Sequence, residues 1–599
     1  MMRTWLILIS LPSILLGACA EPAQPVDTEG LGGLKVVVAA QSSSQCVPST
    51  NKNHSFPADI DRFEIRLSGS INFATTLVEE DLDKEGQVLV MGIPPAENLT
   101  LDLYGCKGDQ LQYSGRTLGV NIKKNDKTAP ALYFTKKSAF SCTGSATLSN
   151  YWSAKLPKAV AFHKSALTDD GELLIVGGFT EYFAPSQLSA GGGGADVYLY
   201  APTKGMFRAW KEPLHSPRGW HHLIPFDDGR KMLVVGGASS ANFGATTNPP
   251  LRPTALPEHM VELIDVDNES IEVSTLSFEA KPMGAIAHSA DGHIIVSAGG
   301  ANLDGTSDDA IWRIESNAGA ISDGSAVVAK GQMTFKRQGH TANYLKDGDV
   351  LILGGNTSSG SAAIAEVIHT GAAPEDVLSS PVNFELGQDN FPALALHQTA
   401  LIQQSDDTHL FMVAGGAGIS ENLDGTAKFN PPHFVGEQLY VVEIQGSNGL
   451  YSGRVAIKTG GFSVDRLERA FHSLTALGNN LFLLGGGYST FAEAGLAICD
   501  DTAAKTGCYL SDALVIETSG GAFGKQMFSE NSLNSGLTFS TSRFGHGVNI
   551  LPDGTALVTG GLRDLPPKNA AGGLLNSAEI LNPMRIDENS ICVKTAPGE

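Results

Sequence analysis

Apolar and polar residues alternate with a period of two in short runs along the first part of the chain. Between residues 34 and 134, the runs 63–67 (Phe-Glu-Ile-Arg-Leu) and 99–103 (Leu-Thr-Leu-Asp-Leu) are examples. Such alternation places the apolar side chains on one face, so each run predicts a half-buried β-strand. Because polar turns separate these closely spaced runs, we predict a β-sandwich over residues 31–138.

A second pattern, an apolar run that ends in two glycines, recurs seven times in the rest of the chain. A turn of Asp, Asn or Gly precedes most of these runs, and such residues tolerate the backbone conformation of a hairpin. Similarity at a regular period is typical of repeat architectures. The first glycines, 55 to 75 residues apart, are Gly177, Gly236, Gly299, Gly354, Gly415, Gly485 and Gly560.

A histidine lies upstream of every double-glycine run, and four of these histidines have an arginine three residues before them. The histidines are His163, His221, His288, His340, His397, His472 and His546. The arginines are Arg218, Arg337, Arg469 and Arg543.

The combination of arginine, histidine, turn, apolar strand and double glycine resembles the kelch repeat of the superfamily that includes the central domain of galactose oxidase. The resemblance covers residues 139–599 and implies a seven-bladed β-propeller, in which four-stranded blades cover each other's faces around an axis. The sandwich before it resembles the immunoglobulin-like domains of envelope lipoproteins. We therefore expect an all-β chain: an immunoglobulin-like β-sandwich followed by a kelch-like propeller.

If the chain enters each blade at the inner strand, as in kelch blades, the histidines, the arginines and the double glycines all lie at one rim, because antiparallel strands alternate in direction. Long insertions follow the double glycines and therefore lie at the same rim. Insertions confined to one face commonly mark a binding face. The insertions are residues 179–195, 238–259, 417–437, 488–508 and 562–576.

The residues at this rim have two interpretations. For the repeated histidines we favour a structural role at blade junctions. The arginines either line the channel mouth, as the kelch resemblance implies, or pair with surplus carboxylates. The candidate binding residues at the channel mouth are Arg218, His221, Arg337, His340, Arg469, His472, Arg543 and His546.

The amino terminus has the pattern of an export signal. Arg3 precedes a short apolar stretch that ends in Leu16-Gly17-Ala18-Cys19, which resembles the lipobox of bacterial lipoproteins. The resemblance implies cleavage before Cys19 and lipidation of its thiol, and Ala20 favours the outer membrane. The alternative is an ordinary secretory signal with an incidental cysteine. We expect a signal peptide over residues 1–19 and a linker over residues 20–30.

Six further cysteines, an even number in an exported chain, predict disulfides. Spacing leaves fifteen pairings open. Cys499 and Cys508 bracket a short loop, Cys46 and Cys106 share the amino-terminal region, and Cys142 and Cys592 flank the repeats. A bond between the last two would join the ends of the ring.

The composition argues against several classes of function. With 41 basic and 63 acidic residues among 599, the net charge is −22, which disfavours nucleic acid. The copies of Asn-Leu-Asp-Gly-Thr at 302–306 and 422–426 lack the full set of calcium ligands. Nucleophile, metalloprotease and phosphate-binding motifs are absent from the sequence. We expect no metal or cofactor and name no catalytic residue.

These observations lead to a binding module rather than an enzyme. We expect a monomeric lipoprotein of the outer membrane that binds an envelope protein or glycan through the insertion-bearing face. The alternative is a carbohydrate-active enzyme, of oxidase, epimerase or lyase type, with its site at the channel mouth.

Overall fold

The computed structural model describes most of the chain from residue 31 onward. The described residues are 31–37, 59–81, 87–130, 133–144, 152–183, 187–243, 251–357, 365–370, 377–384, 394–417, 419–421, 427–429, 439–447, 450–458, 466–489, 497–501, 506–520, 527–563 and 573–593. The predicted signal peptide, Cys19, the linker at 20–30, Cys46 and the motif at 422–426 lie outside them.

The amino-terminal part consists of two sheets that share one core. The first sheet has the order β4 (Gln87–Ile93), β1 (Gly32–Val37), β7 (Lys127–Thr128). The second has the order β3 (Phe73–Leu77), β2 (Arg62–Ser68), β5 (Ala96–Lys107), β6 (Gln110–Ile122), β8 (Thr135–Lys136). Leu34 and Val90 of one sheet and Phe63 and Leu101 of the other belong to a single cluster of buried side chains. The alternating runs therefore form strands whose apolar faces pack against each other.

Within the described residues that follow, seven sheets of four or five strands each contain one double-glycine run. The first has β10 (Lys164–Leu167), β11 (Leu173–Val176), β14 (Val197–Ala201) and β15 (Met206–Ala209). The second has β16 (His222–Phe226), β17 (Lys231–Val235), β20 (Val261–Asp265) and β21 (Ser270–Val273). The third has β22 (Ala285–His288), β23 (Ile294–Ala301), β24 (Ser307–Glu315), β25 (Val327–Gln338) and β28 (Asn356–Thr357).

The fourth sheet has β26 (Thr341–Tyr344), β27 (Val350–Leu353), β29 (Glu366–His369) and β30 (Leu378–Pro381). The fifth has β32 (Gln398–Gln404), β33 (Thr408–Ala414), β36 (Leu439–Ser447), β37 (Leu450–Lys458) and β31 (Asn383–Phe384). The sixth has β38 (Ser473–Gly478), β39 (Leu481–Gly485), β43 (Ala513–Ser519) and β44 (Met527–Glu530). The seventh has β45 (Gly547–Ile550), β46 (Ala556–Thr559), β47 (Ala578–Leu581) and β9 (Phe140–Cys142).

The last sheet is completed by a strand from before the first repeat. β9 pairs antiparallel with β47, with Cys142 opposite Glu579 and Phe140 opposite Leu581. The first strands of the first and last sheets, β10 and β45, also contact each other. Hydrogen bonds between strands therefore join the segment before the first repeat to the last sheet.

Shorter strands fall in the insertions. β12 (Glu181–Phe183), β13 (Gln187–Ser189), β18 (Ser240–Phe243) and β19 (Leu251–Ala255) form one sheet from two repeats. The others are β34 (Ile419–Glu421) with β35 (Ala427–Phe429), and β40 (Tyr488–Ser489) with β41 (Ala497–Asp501) and β42 (Thr506–Leu510). The described residues include one short α-helix, α1 (Ala318–Asp323). Short 3₁₀ helices span Glu79–Asp81, Gly192–Ala195, Asp227–Gly229, Ser532–Asn534 and Ile586–Ser590.

The expectation of an all-β chain is confirmed by these strands. Among the described residues, none of the helices has the length and apolarity needed to cross a membrane.

The disulfide at the carboxyl terminus differs from the pairing suggested by position in the sequence. Cys592 bonds Cys106 of β5, 486 residues away. Cys592 therefore does not bond Cys142, and Cys106 does not pair within the amino-terminal region. Cys142 is disulfide-bonded as well. Cys499 and Cys508 are opposite each other on β41 and β42. Position in the sequence fails for Cys592 because the carboxyl-terminal segment passes beyond the last sheet and packs on the sandwich, where Cys106 and Leu111 surround it.

Candidate functional site

The four repeat arginines are fully buried, and each lies four residues before the first strand of a sheet. Each has no exposed surface and forms an ion pair with a carboxylate of the same repeat. Each also donates a hydrogen bond from Nη1 to the carbonyl of a glycine in its own double-glycine pair. The pairs are Arg218 with Glu262, Arg337 with Glu366, Arg469 with Asp512 and Arg543 with Glu579; the glycines are Gly236, Gly354, Gly486 and Gly560.

The carboxylate also fastens the segment that leads into the sheet. Glu366 accepts a hydrogen bond from the backbone amide of Thr334, three residues before Arg337, at 2.7 Å. Glu579 accepts the equivalent bond from Ser540 at 2.8 Å. Burial lowers the pKa of Arg337, and the charge of Glu366 opposes that shift. Because these arginines are enclosed and paired, they do not offer free cations to a ligand. The sequence left two roles open for them, lining a channel mouth or pairing with carboxylates, and the geometry fits the second.

The double glycines lie between the histidines of successive repeats. A side-chain carbon on Gly415 would lie 2.4 Å from Cε1 of His472 in the next repeat, and one on Gly416 would lie 3.0 Å from Cβ of His397 in its own. Both glycines have positive φ, at 61° and 108°. Only glycine meets both requirements, so neighbouring repeats can approach each other closely at this pair. In the sixth repeat this pair is Gly486 and Gly487, one residue later than the sequence pattern suggests.

Six of the seven histidines fill these junctions. Burial lowers the pKa of His163, His340 and His472 to about 3 and that of His397 to about 4. His221 and His546 are shifted in the same direction for the same reason. They are therefore neutral at physiological pH and act as polar packing groups; for example, His340 contacts the carbonyl of Ala298 at 3.0 Å through Nε2.

His288 is not the counterpart of the other histidines, which corrects the sequence-based assignment. In the third repeat the junction position is Gly284, whose amide lies 3.0 Å from the side-chain carbon that Gly300 would carry. Lys281 then occupies the arginine position and pairs with Asp308 at 3.0 Å. His288 lies four residues further along β22 and contacts the carbonyl of Ser289.

The residue before each junction position has positive φ, and these seven residues form what we call the central belt. Their φ angles lie between 55° and 67°, which is strained for bulky side chains. Backbone hydrogen bonds link them in two arcs, from Trp220 through Phe162 and Gly545 to Phe471, and from Leu396 through Gly339 to Met283. The belt is Phe162, Trp220, Met283, Gly339, Leu396, Phe471 and Gly545.

The side chains of the belt meet in one apolar cluster. The ring of Phe162 lies 5.3 Å from Trp220 and 6.0 Å from Phe471. A side-chain carbon on Gly545 would lie 2.7 Å from the ring of Phe162, so the glycine makes room for that ring. The apolar members are half-buried and keep part of their surface exposed.

Insertions from three repeats pack on the belt and form what we call the insertion platform: β12, β13, β18, β19, β40, β41 and β42. Phe179, Ala241 and Tyr509 from the insertions are buried in the same cluster as the belt. Tyr182 and Tyr488 are half-buried there, and Phe183 at the edge of the platform is 51% exposed. Half-exposed aromatic side chains offer large, rigid contact surfaces of the kind that dominate protein and sugar recognition.

A second site is a polar cavity of about 250 Å³ between the sandwich and the repeats. Asp102 and Arg116 of the sandwich line it, facing Asp553 and Arg585 of the repeat region. Burial raises the pKa of Asp553. Lys137 forms an ion pair with Glu588 at 2.6 Å beside it, so the cavity lies in a fixed seam between the two parts.

Among the described residues, no group of three or more His, Cys, Asp and Glu side chains is arranged to hold a metal ion. In the described copy of the Asn-Leu-Asp-Gly-Thr motif, Asp304 accepts hydrogen bonds from the backbone amide and hydroxyl of Thr306. That carboxylate therefore stabilises a turn.

Comparison with known proteins gives weak similarities only. No protein-family model matches the chain, and no curated protein matches it. Among solved structures, it is similar to YjhT, with 14% identity and a TM-score of 0.33 over 60% of this chain and 96% of YjhT. It is also similar to a fungal alcohol oxidase of the AA5 family in complex with copper, with 13% identity and a TM-score of 0.35 over 59% of this chain. The match covers 60% of that oxidase, less than two thirds of its length.

Proposed function

We propose that the chain is an exported, lipid-anchored protein of the bacterial cell envelope whose seven sheets close into a kelch-like propeller behind an immunoglobulin-like sandwich. The contact between β10 and β45, the completion of the last sheet by β9, and the two hydrogen-bonded arcs of the belt support a closed ring of seven blades. Closure covers the apolar faces of all the sheets without a free edge at the seam.

The sandwich lies at the rim opposite the insertion platform in this arrangement. The turns at Asn479 and Asp553, between the first and second strands of their sheets, line the seam cavity. Double glycines end second strands, so they and the insertions lie at the other end. A lipid on Cys19, which precedes the sandwich, would therefore leave the platform facing away from the membrane.

The proposed function is the binding of an envelope protein or glycan by the insertion platform. The observation that carries it is the convergence of half-buried aromatic side chains from the belt and from several insertions at one place. The alternative is a carbohydrate-active enzyme that binds its substrate through the four arginines. All four are buried in ion pairs, so they are not available to contact a substrate.

A binding screen tests this proposal. The soluble chain lacking residues 1–19 is applied to a glycan array and, in parallel, to an envelope-protein pull-down. Phe183→Ser alters the platform, while Leu450→Ser, at an 84% exposed position on the hairpin between β36 and β37, is the matched control. We expect a ligand that the wild type and Leu450→Ser retain and Phe183→Ser loses. A ligand retained equally by all three would place recognition elsewhere.

Anchoring is tested separately in cells. A radiolabelled or clickable fatty acid is expected to label the wild-type chain and not Cys19→Ser. Secretion of an unlabelled wild-type chain would instead support an ordinary signal peptide.

A further inference from the structure

A serine, a histidine and an aspartate of the fourth sheet are connected by hydrogen bonds away from the insertion platform. Nε2 of His369 lies 2.8 Å from Oγ of Ser380, and Nδ1 of His369 lies 3.0 Å from a carboxylate oxygen of Asp349. His369 ends β29, Ser380 is on β30, and Asp349 precedes β27. The three groups are thus held by neighbouring strands of one rigid sheet.

The partners determine which group carries each proton. An ionised carboxylate only accepts hydrogen bonds, so Nδ1 of His369 carries the proton that faces Asp349. Nε2 is then the acceptor, and the hydroxyl of Ser380 donates to it. This is the tautomer that a histidine needs to remove a proton from a serine.

Asp349 is fixed from three directions. Its side chain is 8% exposed and accepts hydrogen bonds from the backbone amide of Thr370 at 2.9 Å and from the hydroxyl of Tyr451 at 2.9 Å. Burial and hydrogen bonds to Asp347 and Asp349 raise the pKa of Tyr451, so its hydroxyl keeps its proton and donates. The carboxylate therefore stays in place to orient His369 and to stabilise its cationic form.

The histidine and serine are open to solvent, unlike the junction histidines. The side chain of His369 is 21% exposed, and Ser380 is half-buried. β30 is the last strand of its sheet. Val382 donates its amide to Ala365, so by the alternation of an antiparallel pair the amide of Ser379, next to Ser380, points away from β29, while Pro381 has no N–H. A backbone amide in such a position is a donor for negative charge that develops on a carbonyl oxygen.

We propose that Ser380, His369 and Asp349 form a hydrolytic triad that acts on carboxylic esters with a small acyl group. Oγ of Ser380 attacks the ester carbonyl while its proton passes to Nε2 of His369. The bond to the alcohol breaks, and the alcohol leaves with that proton, which gives an acyl-serine. Water then attacks the acyl-serine with His369 as base, which releases the acid and restores Ser380. The partial exposure of Ser380 limits the acyl group to small ones such as acetyl.

The full-length protein is tested with a fluorophosphonate probe and with 4-nitrophenyl acetate. Ser379→Ala is the matched control, because the hydroxyl of Ser379 bonds the carbonyl of Gln332 and the carboxylate of Glu366 and has no histidine partner. We expect the probe on the peptide that contains Ser380 in the wild type and in Ser379→Ala, and background labelling and turnover in Ser380→Ala. His369→Gln should lower the labelling rate by about 10²- to 10⁴-fold, the usual contribution of a general base.

The melting temperature of each variant establishes that it is folded. Labelling lost in Ser380→Ala with an unchanged melting temperature supports the triad. A wild-type protein that remains unlabelled at Ser380, or equal labelling of Ser380→Ala and Ser379→Ala, overturns it. Because the triad shares no residue with the platform, loss of platform binding in Phe183→Ser leaves this result unaffected.

Discussion

At the scale of single residues, the recurring polar groups of this protein stabilise its interior. The buried arginines pair with carboxylates and with glycine carbonyls of their own repeats. Four of the junction histidines contact a hydroxyl or a backbone carbonyl through Nε2. A buried charge is tolerated when it is paired with an opposite charge. Removing one member of the pair is destabilising, because the other is then left buried without a partner. The polar residues that repeat are therefore the ones that hold each sheet to its incoming segment.

Removing one member of an ion pair tests this. Arg337→Met leaves Glu366 buried without a cation, and we expect the free energy of unfolding to fall by about 3–5 kcal/mol. Arg337→Met combined with Glu366→Leu should lose less. The exposed pair Lys346–Asp406 is the control, since its lysine is 52% and its aspartate 92% exposed; Lys346→Ala should change stability by less than about 1 kcal/mol. Denaturant unfolding measures all three, and similar losses from both lysine and arginine variants would contradict the account.

The junction histidines predict loss of stability in acid. The pKa of His397 is about 4 in the folded protein and about 6.5 in the unfolded chain, so between these values only the unfolded chain takes up a proton. Stability is therefore complete above about pH 6.5 and falls as the pH drops toward 4, by about 1.4 kcal/mol per pH unit for each such histidine. Denaturant midpoints at several pH values should show a shallower dependence in His397→Gln, and equal slopes in both proteins would refute the assignment.

At the scale of elements, the turn before each first strand is the demanding feature of the repeat. It places a residue with positive φ in the belt. It also brings the junction position close to the double glycines of its own repeat and of the preceding repeat. Five of the seven turns use a bulky apolar residue in that conformation, and two use glycine. The cost of this strain is of order 1–3 kcal/mol per residue, and the shared apolar cluster offsets it.

A substitution at Gly545 distinguishes the cost of backbone strain from the cost of side-chain crowding. Gly545→Ala adds a carbon 2.7 Å from the ring of Phe162 at a φ of 60°. Gly478→Ala adds one at a φ of 81° with nothing within 4 Å. Both variants pay the backbone cost, but Gly545→Ala should lose about 1–3 kcal/mol more because the ring must move. Thermal unfolding compares the two, and equal losses would mean that the belt is loosely packed.

At the scale of the whole molecule, the sandwich and the repeats are fastened together. The bond between Cys106 and Cys592, the ion pair of Lys137 with Glu588, and the hydrogen bond that Arg62 donates to the carbonyl of Cys592 all lie at their contact. The sandwich therefore acts as a fixed support for the repeats, which determines the direction in which the platform faces.

The seam predicts a specific response to loss of the disulfide. Replacing Cys106 and Cys592 together by Ser should lower the free energy of unfolding by roughly 6 kcal/mol on chain-entropy grounds, less any strain that is relieved. Limited proteolysis should then cleave near residues 586–593, which the wild type protects. An unchanged cleavage pattern would show that the ion pairs and hydrogen bonds are enough to hold this segment on the sandwich without the disulfide.

The sequence predicts the strands and the double glycines because each depends on local patterns. The burial of Arg337 is not local, since its partner Glu366 lies 29 residues away on the third strand of the sheet. A recurring signal was present in Val261-Glu262, Ala365-Glu366 and Ala578-Glu579, each a small or branched residue before a glutamate. The assignment of His288 was wrong because the third repeat has Gly284 at the junction position. Ser380 lies in no recognisable motif, so its partners could not be predicted from the sequence.

The position of β9 in the chain also determines when this protein can finish folding. β9 is made early and its partner β47 more than four hundred residues later, so the last sheet stays open until nearly the whole chain has emerged. Long-range pairing of this kind makes folding slow and leaves strand edges exposed in the interval. A chain that crosses a membrane amino terminus first would therefore depend on chaperones on the far side until its own end arrives.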